Sequence, residues 1–384
     1  MVGEEISMVR KSANIVEFFA VLTDPRIERQ KLHKLLDIIV IAICAVLSYA
    51  DSWEEIEEYG QIKYDWLKTF LELPNGIPSH DTFNRVFSLL NMAEFQNCFV
   101  DWVRAISELT AGEVVAIDGK TSRRSHDKFS GKAPIHLVNA WASGNRVVLG
   151  QVKTDTKSNE ITAIPELLNI LELKGCIVTI DAMGCQKDIA AAIADKGADY
   201  VLAVKENQKS LYEDIEFFFA AEKKNNFKDV KVDYYETTEK GHGRIETRRY
   251  WTTGEIDWLK EPGLWKNLKI IGLVESERQI GEKISIEKRY FISSLKNDAK
   301  TFGKAVREHW GVENSLHWVL DIAFREDESR KRAGYAAENF ALLRLIALNL
   351  LRQEKSTKLG VKGKRLKAGW DNGYLMKVLG VNKI

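Results

Sequence analysis

Cysteine is scarce in this chain. Four residues in 384 carry a thiol, Cys44, Cys98, Cys176 and Cys185, and no two of them form a C-x-x-C pair. That excludes a zinc ribbon and a disulfide framework; reduced, mostly buried thiols in a cytosolic protein are expected. Long apolar runs are missing too. The longest, residues 38–47, is far short of the roughly 20 residues a membrane helix needs, and it reads as a buried core helix. The first residues show no basic segment followed by an apolar stretch and a small-residue cleavage site, so no signal peptide is expected. There are no internal repeats and no low-complexity segment. Net charge is also small, +1 overall, but it is unevenly spread. Residues 352–384 hold nine Lys or Arg against two Asp or Glu, a net +7, which leaves −6 for residues 1–351. A basic end on a nearly neutral body reads as a nucleic-acid contact before a membrane anchor. The plainer alternative is a solvated, frayed terminus.

What is present suits a globular protein of two or three domains, 45% hydrophobic and 29% charged. Residues 14–110 read as helical. Apolar spacing predicts helices over about 15–22 and 34–49, the second apolar nearly all round and so central to a bundle. Ser52 with Glu55 is a capping-box pattern, and Ser79 is placed to cap a helix carrying Phe83, Val86, Phe87 and Leu90. From Gly112 the pattern changes to strand, hairpin, helix, strand, helix, strand, an α/β domain with a mixed sheet. Residues 206–295 read as a β-rich insertion. Helical periodicity resumes near Ala299, with Trp310 expected in the core, and a last strong helix spans about 336–352.

Two segments are alike. V-V-A-I-D ends at Asp118 and I-V-T-I-D ends at Asp181, each a short buried-type strand followed at once by a carboxylate. Ligands of open α/β sheets collect beyond the carboxyl ends of strands. Two aspartates converging there would repel unless a cation lay between them, and hard oxygen ligands favour Mg²⁺ or Mn²⁺. The bland reading of either residue alone is a turn cap. Between Gly119 and Lys157 stand Lys120, Arg123, Arg124, Lys128, Lys132, Arg146, Lys153 and Lys157 against Asp127 and Asp155, a net +6 that suits a polyanion. A solvated loop would look the same. The stretch R-E-H-W-G-V-E-N-S-L-H-W puts His309, Glu313 and His317 at helical spacing. Glu313 is therefore a candidate third acid. Asp321, Glu326 and Asp327 are its rivals, and a His-Glu-His zinc site competes with it.

With these motifs in hand, the chain resembles DDE transposases of bacterial insertion sequences, most closely the H-repeat-associated group with its N-terminal DDE-transposase-associated domain. The resemblance covers nearly the whole chain. It rests on F-F-x-x-L-x-D-P-R at 18–26, G-I-P-S-H-D-T-F at 76–83, A-I-D-G-K at Asp118 and T-I-D-A-M-G-C-Q at Asp181. It continues through V-K-E-N-Q at 204–208, H-G-R-I-E-x-R at 242–248, H-W-G-V-E-N-S-L-H-W at 309–318 and F-R-E-D at 324–327.

The resemblance implies a helical associated domain (1–110), an RNase H-like catalytic core with a β-rich insertion (111–352) and a basic tail (353–384). It implies that Asp118, Asp181 and Glu313 bind two Mg²⁺ or Mn²⁺ ions and catalyse strand cleavage and 3′-hydroxyl transfer. A nuclease of the same fold, or an inactive DNA-binding relative, are the alternatives. Implied partners are double-stranded DNA at the element's terminal inverted repeats and at the target, with a homodimer assembled on DNA in the cytoplasm, associated with the nucleoid. Lys120, Arg123, Arg124, Lys205, Asn207, Arg244, Arg248, Arg249, Arg307 and His309 are the candidate DNA contacts. In one respect the chain departs from related transposases, whose catalytic helix carries a Tyr and an Arg ahead of the Glu and a later Lys. Val306, His309 and Leu320 stand at the Tyr, Arg and Lys positions here, so His309 and Arg307 are candidates to replace them.

Overall fold

The computed structural model describes residues 14–126, 134–154, 160–241 and 243–380. Lys128, Lys132 and Lys157, with Asp127, Asp155 and the motif residue His242, lie outside the described residues, as do 381–384 of the basic end.

Six helices come first: Ile15–Phe19 (α1), Leu35–Leu47 (α2), Trp53–Ile62 (α3), Tyr64–Leu67 (α4), His80–Leu89 (α5) and Met92–Ile106 (α6). Ser52 Oγ accepts from the Glu55 amide at 3.2 Å, and a Glu55 carboxylate oxygen accepts from the Ser52 amide at 3.1 Å. Two donors that the start of α3 would leave open are thereby satisfied. Ser79 caps α5 through the Thr82 amide at 3.4 Å. Helix α2 is buried on every side from Asp37 onward, so other elements must enclose it.

A nine-stranded sheet follows. Its first strands are Val114–Thr121 (β1), His136–Ala142 (β2) and Val147–Lys153 (β3), and then Glu160–Ile170 (α7) leads to Ile177–Ile180 (β4). Lys187–Asp195 (α8), Asp199–Val204 (β5) and Lys209–Lys224 (α9) come next, before Val232–Gly241 (β6), Arg244–Thr253 (β7), Ile270–Ile280 (β8) and Lys283–Ser293 (β9). The strand order is β3-β2-β1-β4-β5-β9-β8-β7-β6. β1 is antiparallel to β2 and parallel to β4, and β4 is parallel to β5. The expected β-rich stretch of 206–295 is present as β6 to β9, but the region opens with the 16-residue α9. It is also no separate lobe. β9 pairs antiparallel with β5, closing what would otherwise be a bare sheet edge.

Ala299–His309 (α10) lies across β1, β4 and β5 on one face, burying Phe302, Ala305 and Val306 with Val114, Ile177 and Val201. One π-type turn, Glu313–His317, then leads into Trp318–Phe324 (α11), and Ala336–Gln353 (α12), Val361–Trp370 (α13) and Asn372–Leu379 (α14) complete the chain. Helix α12 is buried along almost its full length and packs against α2, α5, α6 and β3. Two buried asparagines fix it. Asn339 Nδ2 donates to the carbonyls of Phe87 and Leu90 at 2.8 and 2.9 Å, and Asn349 exchanges two 2.9 Å bonds with the Val148 backbone. The N-terminal helices and the sheet therefore share one continuous core. All four cysteines are buried and unpaired.

Two expectations are corrected here. Residues 353–380 are not a loose basic tail, because α13 and α14 dock on the core and Arg365 of α13 is fully buried. Trp310 is not a core residue but 39% exposed, with the Arg289 guanidinium 4.0 Å over its ring. Among the described residues, no helix is long and apolar enough to cross a membrane.

Candidate active site

The parallel register sets Ile117 beside Ile180, so Asp118 and Asp181 stand next to each other where β4 ends, on strands about 4.8 Å apart. Side chains alternate along a strand. Val114 and Ile177 face α10, and so therefore do Asp118 and Asp181, four residues further on. Thr179, two residues before Asp181, meets His309 of α10 on that face, Oγ1 to Nδ1 at 3.0 Å. Asp118 accepts from the Gly119 amide at 2.9 Å. Asp181 accepts from the Met183 amide at 3.1 Å and so also caps the short turn Ala182–Gly184, the bland role foreseen for it. Asn207 Nδ2 and Gln208 Nε2 brace that turn from behind, donating to the carbonyls of Ala182 at 2.7 Å and Cys185 at 2.9 Å.

Glu313 starts the π-type turn. Such turns are uncommon and cluster at functional sites, because the extra residue re-aims side chains out of the α register. It is exposed and lines one cavity of about 780 Å³ with Asp118, Asp181, Lys205, His309 and Trp310. Its rivals are engaged elsewhere. Lys120 Nζ lies 2.7 Å from Asp321, 3.1 Å from Glu326 and 3.4 Å from Asp327. Burial opposes the charge on Lys120, but Glu326 and Asp321 outweigh it and hold its pKa above the ordinary value.

The acids are crowded. Burial first, then the charges of Asp181, Glu160 and Glu313, push Asp118 up to about 7; burial and Glu160 raise Asp181. His317 Nδ1 lies 3.6 Å from Asp118 Oδ2, and burial lowers both His309 and His317 to about 4, leaving them neutral near pH 7. A stability consequence follows for the metal-free protein. Because the folded pKa of Asp118 is raised, the stability it confers is full below its unfolded value near 4 and is lost as pH climbs through about 7. Asp118→Asn should therefore raise the melting temperature in chelator at pH 8, on the order of 2 kcal/mol of added stability, and change it little at pH 4. Thermal unfolding at the two pH values checks this; equal shifts at both would remove the electrostatic cause.

The candidate DNA contacts divide. Arg123 is 81% exposed and only loosely paired, 3.3 Å from Asp327; Arg124 and Lys205 are exposed as well. The others are already engaged. Lys120 is gripped by three carboxylates, Asn207 braces a turn, and His309 is half-buried against Thr179. Arg244 and Arg248 bond Glu246, Arg248 and Arg307 bond Glu239, and Arg249 spans Glu236 and Glu277. The insertion arginines thus pair with acids of their own strand and of the strands beside it, and Arg244 stays 44% exposed.

Sequence reasoning missed one pair. Glu160 opens α7, and its Oε1 lies 2.7 Å from His136 Nε2, whose Nδ1 is 2.7 Å from Thr121 Oγ1. No spacing links positions 136 and 160; only the pairing of His136 with Thr121 across β1 and β2 brings them beside Asp118.

The chain is similar to known proteins. The chain is 47% identical over 370 residues to "Putative transposase YncI" of Escherichia coli O157:H7, covering 95% of this chain and 94% of that one. It is 43% identical over 370 residues to "H repeat-associated putative transposase YhhI" of Escherichia coli (strain K12), covering 95% and 97%. Among solved structures, the piggyBac transposase synaptic complex with hairpin DNA aligns with 96% of this chain and 78% of its own, at TM-score 0.44 and 13% identity. The DDE_Tnp_1-associated family model matches residues 16–103. The Transposase DDE domain model matches residues 110–350, the span that carries Asp118, Asp181 and the helix crossing their strands, and the chain belongs to the DDE transposase family.

Proposed function

We propose that this protein binds the terminal inverted repeats of an insertion sequence, cuts a DNA strand there and joins the freed 3′-hydroxyl to target DNA. Asp118, Asp181 and Glu313 are its catalytic acids and would hold two Mg²⁺ or Mn²⁺ ions. One observation carries this: Asp118 of β1 and Asp181, just past the end of the adjacent β4, share a face, and the turn bearing Glu313 borders the same cavity. The donors are hard oxygens, and a divalent cation would offset the burial and neighbouring negative charges that raise Asp118. Among the described residues, no three His, Cys, Asp or Glu side chains converge closely enough to grip an ion as they stand. Glu313, exposed and on an irregular turn, has the freedom to close on the aspartates. The strand order β3-β2-β1-β4-β5 supports reading residues 111–352 as an RNase H-like core.

When bound, the ions would supply an activated oxygen nucleophile and charge for the leaving oxygen. The chain's own residues set the geometry. The Asn207–Gln208 brace holds the Asp181 turn, and the Thr179–His309 contact ties α10 to the strand that presents Asp181. Arg123, Arg124 and Lys205 offer cations to phosphates of double-stranded DNA, and residues 1–110 provide further surface for the element end. A homodimer assembled on DNA goes with this reading.

DNA carrying the flanking inverted repeats should be cleaved and then joined in Mg²⁺ or Mn²⁺, and both steps should stop in chelator. Cleavage persisting in excess chelator refutes the proposal. Cleavage without joining would make the protein a nuclease, and binding without cleavage an inactive relative.

A further inference from the structure

β9 is only half covered on the side away from β8. β8 pairs with the whole of β9, but β5 pairs with residues 290–293 alone. Among the described residues, 283–289 therefore present an open sheet edge. In an antiparallel ladder every second residue turns its amide and carbonyl outward, and a row of such groups is a template for another strand. The side chains along this edge are exposed from Gly281 to Lys288. Ile284 and Ile286 are 56% and 58% exposed. Glu287 pairs with Arg289 of its own strand at 2.8 Å, and Glu282, Lys283 and Lys288 form no ion pair among the described residues.

The edge reads E-K-I-S-I-E-K over 282–288, and it complements itself when one copy is reversed. Two copies related by a two-fold axis at Ser285 would set Ile284 opposite Ile286, Lys283 opposite Glu287 and Glu282 opposite Lys288, each twice. Directly opposed side chains share a face. Four isoleucines would thus cluster on the side where Tyr290 meets Tyr212 of α9. Other registers fail on charge. With the axis at Ile286, Lys283 meets Arg289; with the axis between Ser285 and Ile286, Lys283 meets Lys288, and like charges oppose pairing. The outer strand β6 is less suited, because its Glu236 and Glu239 already pair with Arg249, Arg248 and Arg307.

We propose that two copies of this chain join through the open half of β9, antiparallel about Ser285, into a dimer that needs no DNA. Glu287 and Lys288 also line the cavity that Asp118, Asp181 and Glu313 share, so the join lies at the lip of that cavity. The dimer is independent of the role given to those acids.

Ser285→Cys in the full-length chain tests the register. Directly opposed residues lie about 4.5–5.5 Å apart at Cα, within disulfide reach, and the four native cysteines are buried. Mild oxidation should convert most of this variant into one disulfide-linked dimer on a non-reducing gel. Ile280→Cys, exposed on β8, should remain largely unlinked. Sedimentation of the DNA-free protein tests the charges. Lys283→Glu and Glu287→Lys should each weaken dimerisation about tenfold, and the double variant should recover to within about threefold of the unaltered chain. Both positions are exposed, so circular dichroism should not change. A monomeric unaltered chain, linkage of Ile280→Cys as complete as that of Ser285→Cys, or a double variant no tighter than the single ones would overturn the proposal.

Discussion

Glu313→Gln is expected to cut single-turnover DNA cleavage at least a thousandfold while preserving the fold and DNA binding, and Asp118→Asn and Asp181→Asn should do the same. Each change keeps the shape of the side chain and removes one anionic oxygen from the cavity the three share. Losing a charged ligand removes several kcal/mol of transition-state stabilisation, and about 4 kcal/mol already corresponds to a factor of roughly a thousand. Folding should not suffer, since Glu313 is exposed. Glu326 and Asp327 should behave in the opposite way. Glu326 is 2% exposed between Lys120 at 3.1 Å and Arg344 at 3.9 Å. Glu326→Gln leaves two buried cations short of a counter-charge, a change that typically costs about 3–5 kcal/mol of stability, and the folded fraction should still cut. Asp327, partly exposed and more weakly placed, should cost less on both counts. Cleavage rate and urea midpoint measured together on all five variants separate the roles. Near-normal cleavage by Glu313→Gln beside a folded but inactive Glu326 or Asp327 variant would move the third acid.

Removing residues 353–384 is expected to unfold the protein, not merely to weaken its hold on DNA. The reason is Arg365. It is fully buried, and its guanidinium donates to the carbonyls of Val46 at 2.9 Å, Ala50 at 3.2 Å and Ala323, while pairing with Asp51 at 3.0 Å. Those carbonyls lie at the ends of α2 and α11, where helices leave acceptors open. The aromatic rings of Tyr49 and Phe324 lie 4.7 and 4.4 Å from its centre. Arg365→Met replaces the charge with a side chain of similar length, strands Asp51 and orphans the carbonyls, and should cost about 3–5 kcal/mol. Denaturant unfolding of the point variant and circular dichroism of the truncated chain decide this. A truncated chain that stays folded and loses only DNA affinity would restore the basic end as a DNA-binding tail.

Local chemistry by itself determined much of this protein. Although β1 runs on past Asp118 to Thr121 because its pairing with β2 continues there, the Ser52–Glu55 capping box, the Ser79 cap, the apolar helices α2 and α12 and the strand ending at Asp181 each depend on residues within a few positions of one another. Their energetics are short-ranged, and so they can be read along the chain. The family was legible for the same reason, because its motifs are short strings in a set order. Partner choice was not. Whether Lys120 meets a phosphate or Asp321, and whether Arg248 stands free or pairs with Glu239, depends on which strands and helices are neighbours. A charged side chain looks the same in sequence whether solvent or a carboxylate awaits it, and Arg365 reads as one more basic residue in a charged tail. Only the packing of α13 against α2 and α11 makes it a buried cap. Likewise, only the register of β1 on β2 and the missing side chain of Gly119 bring His136 and Glu160, 24 residues apart, together against β1 at Gly119.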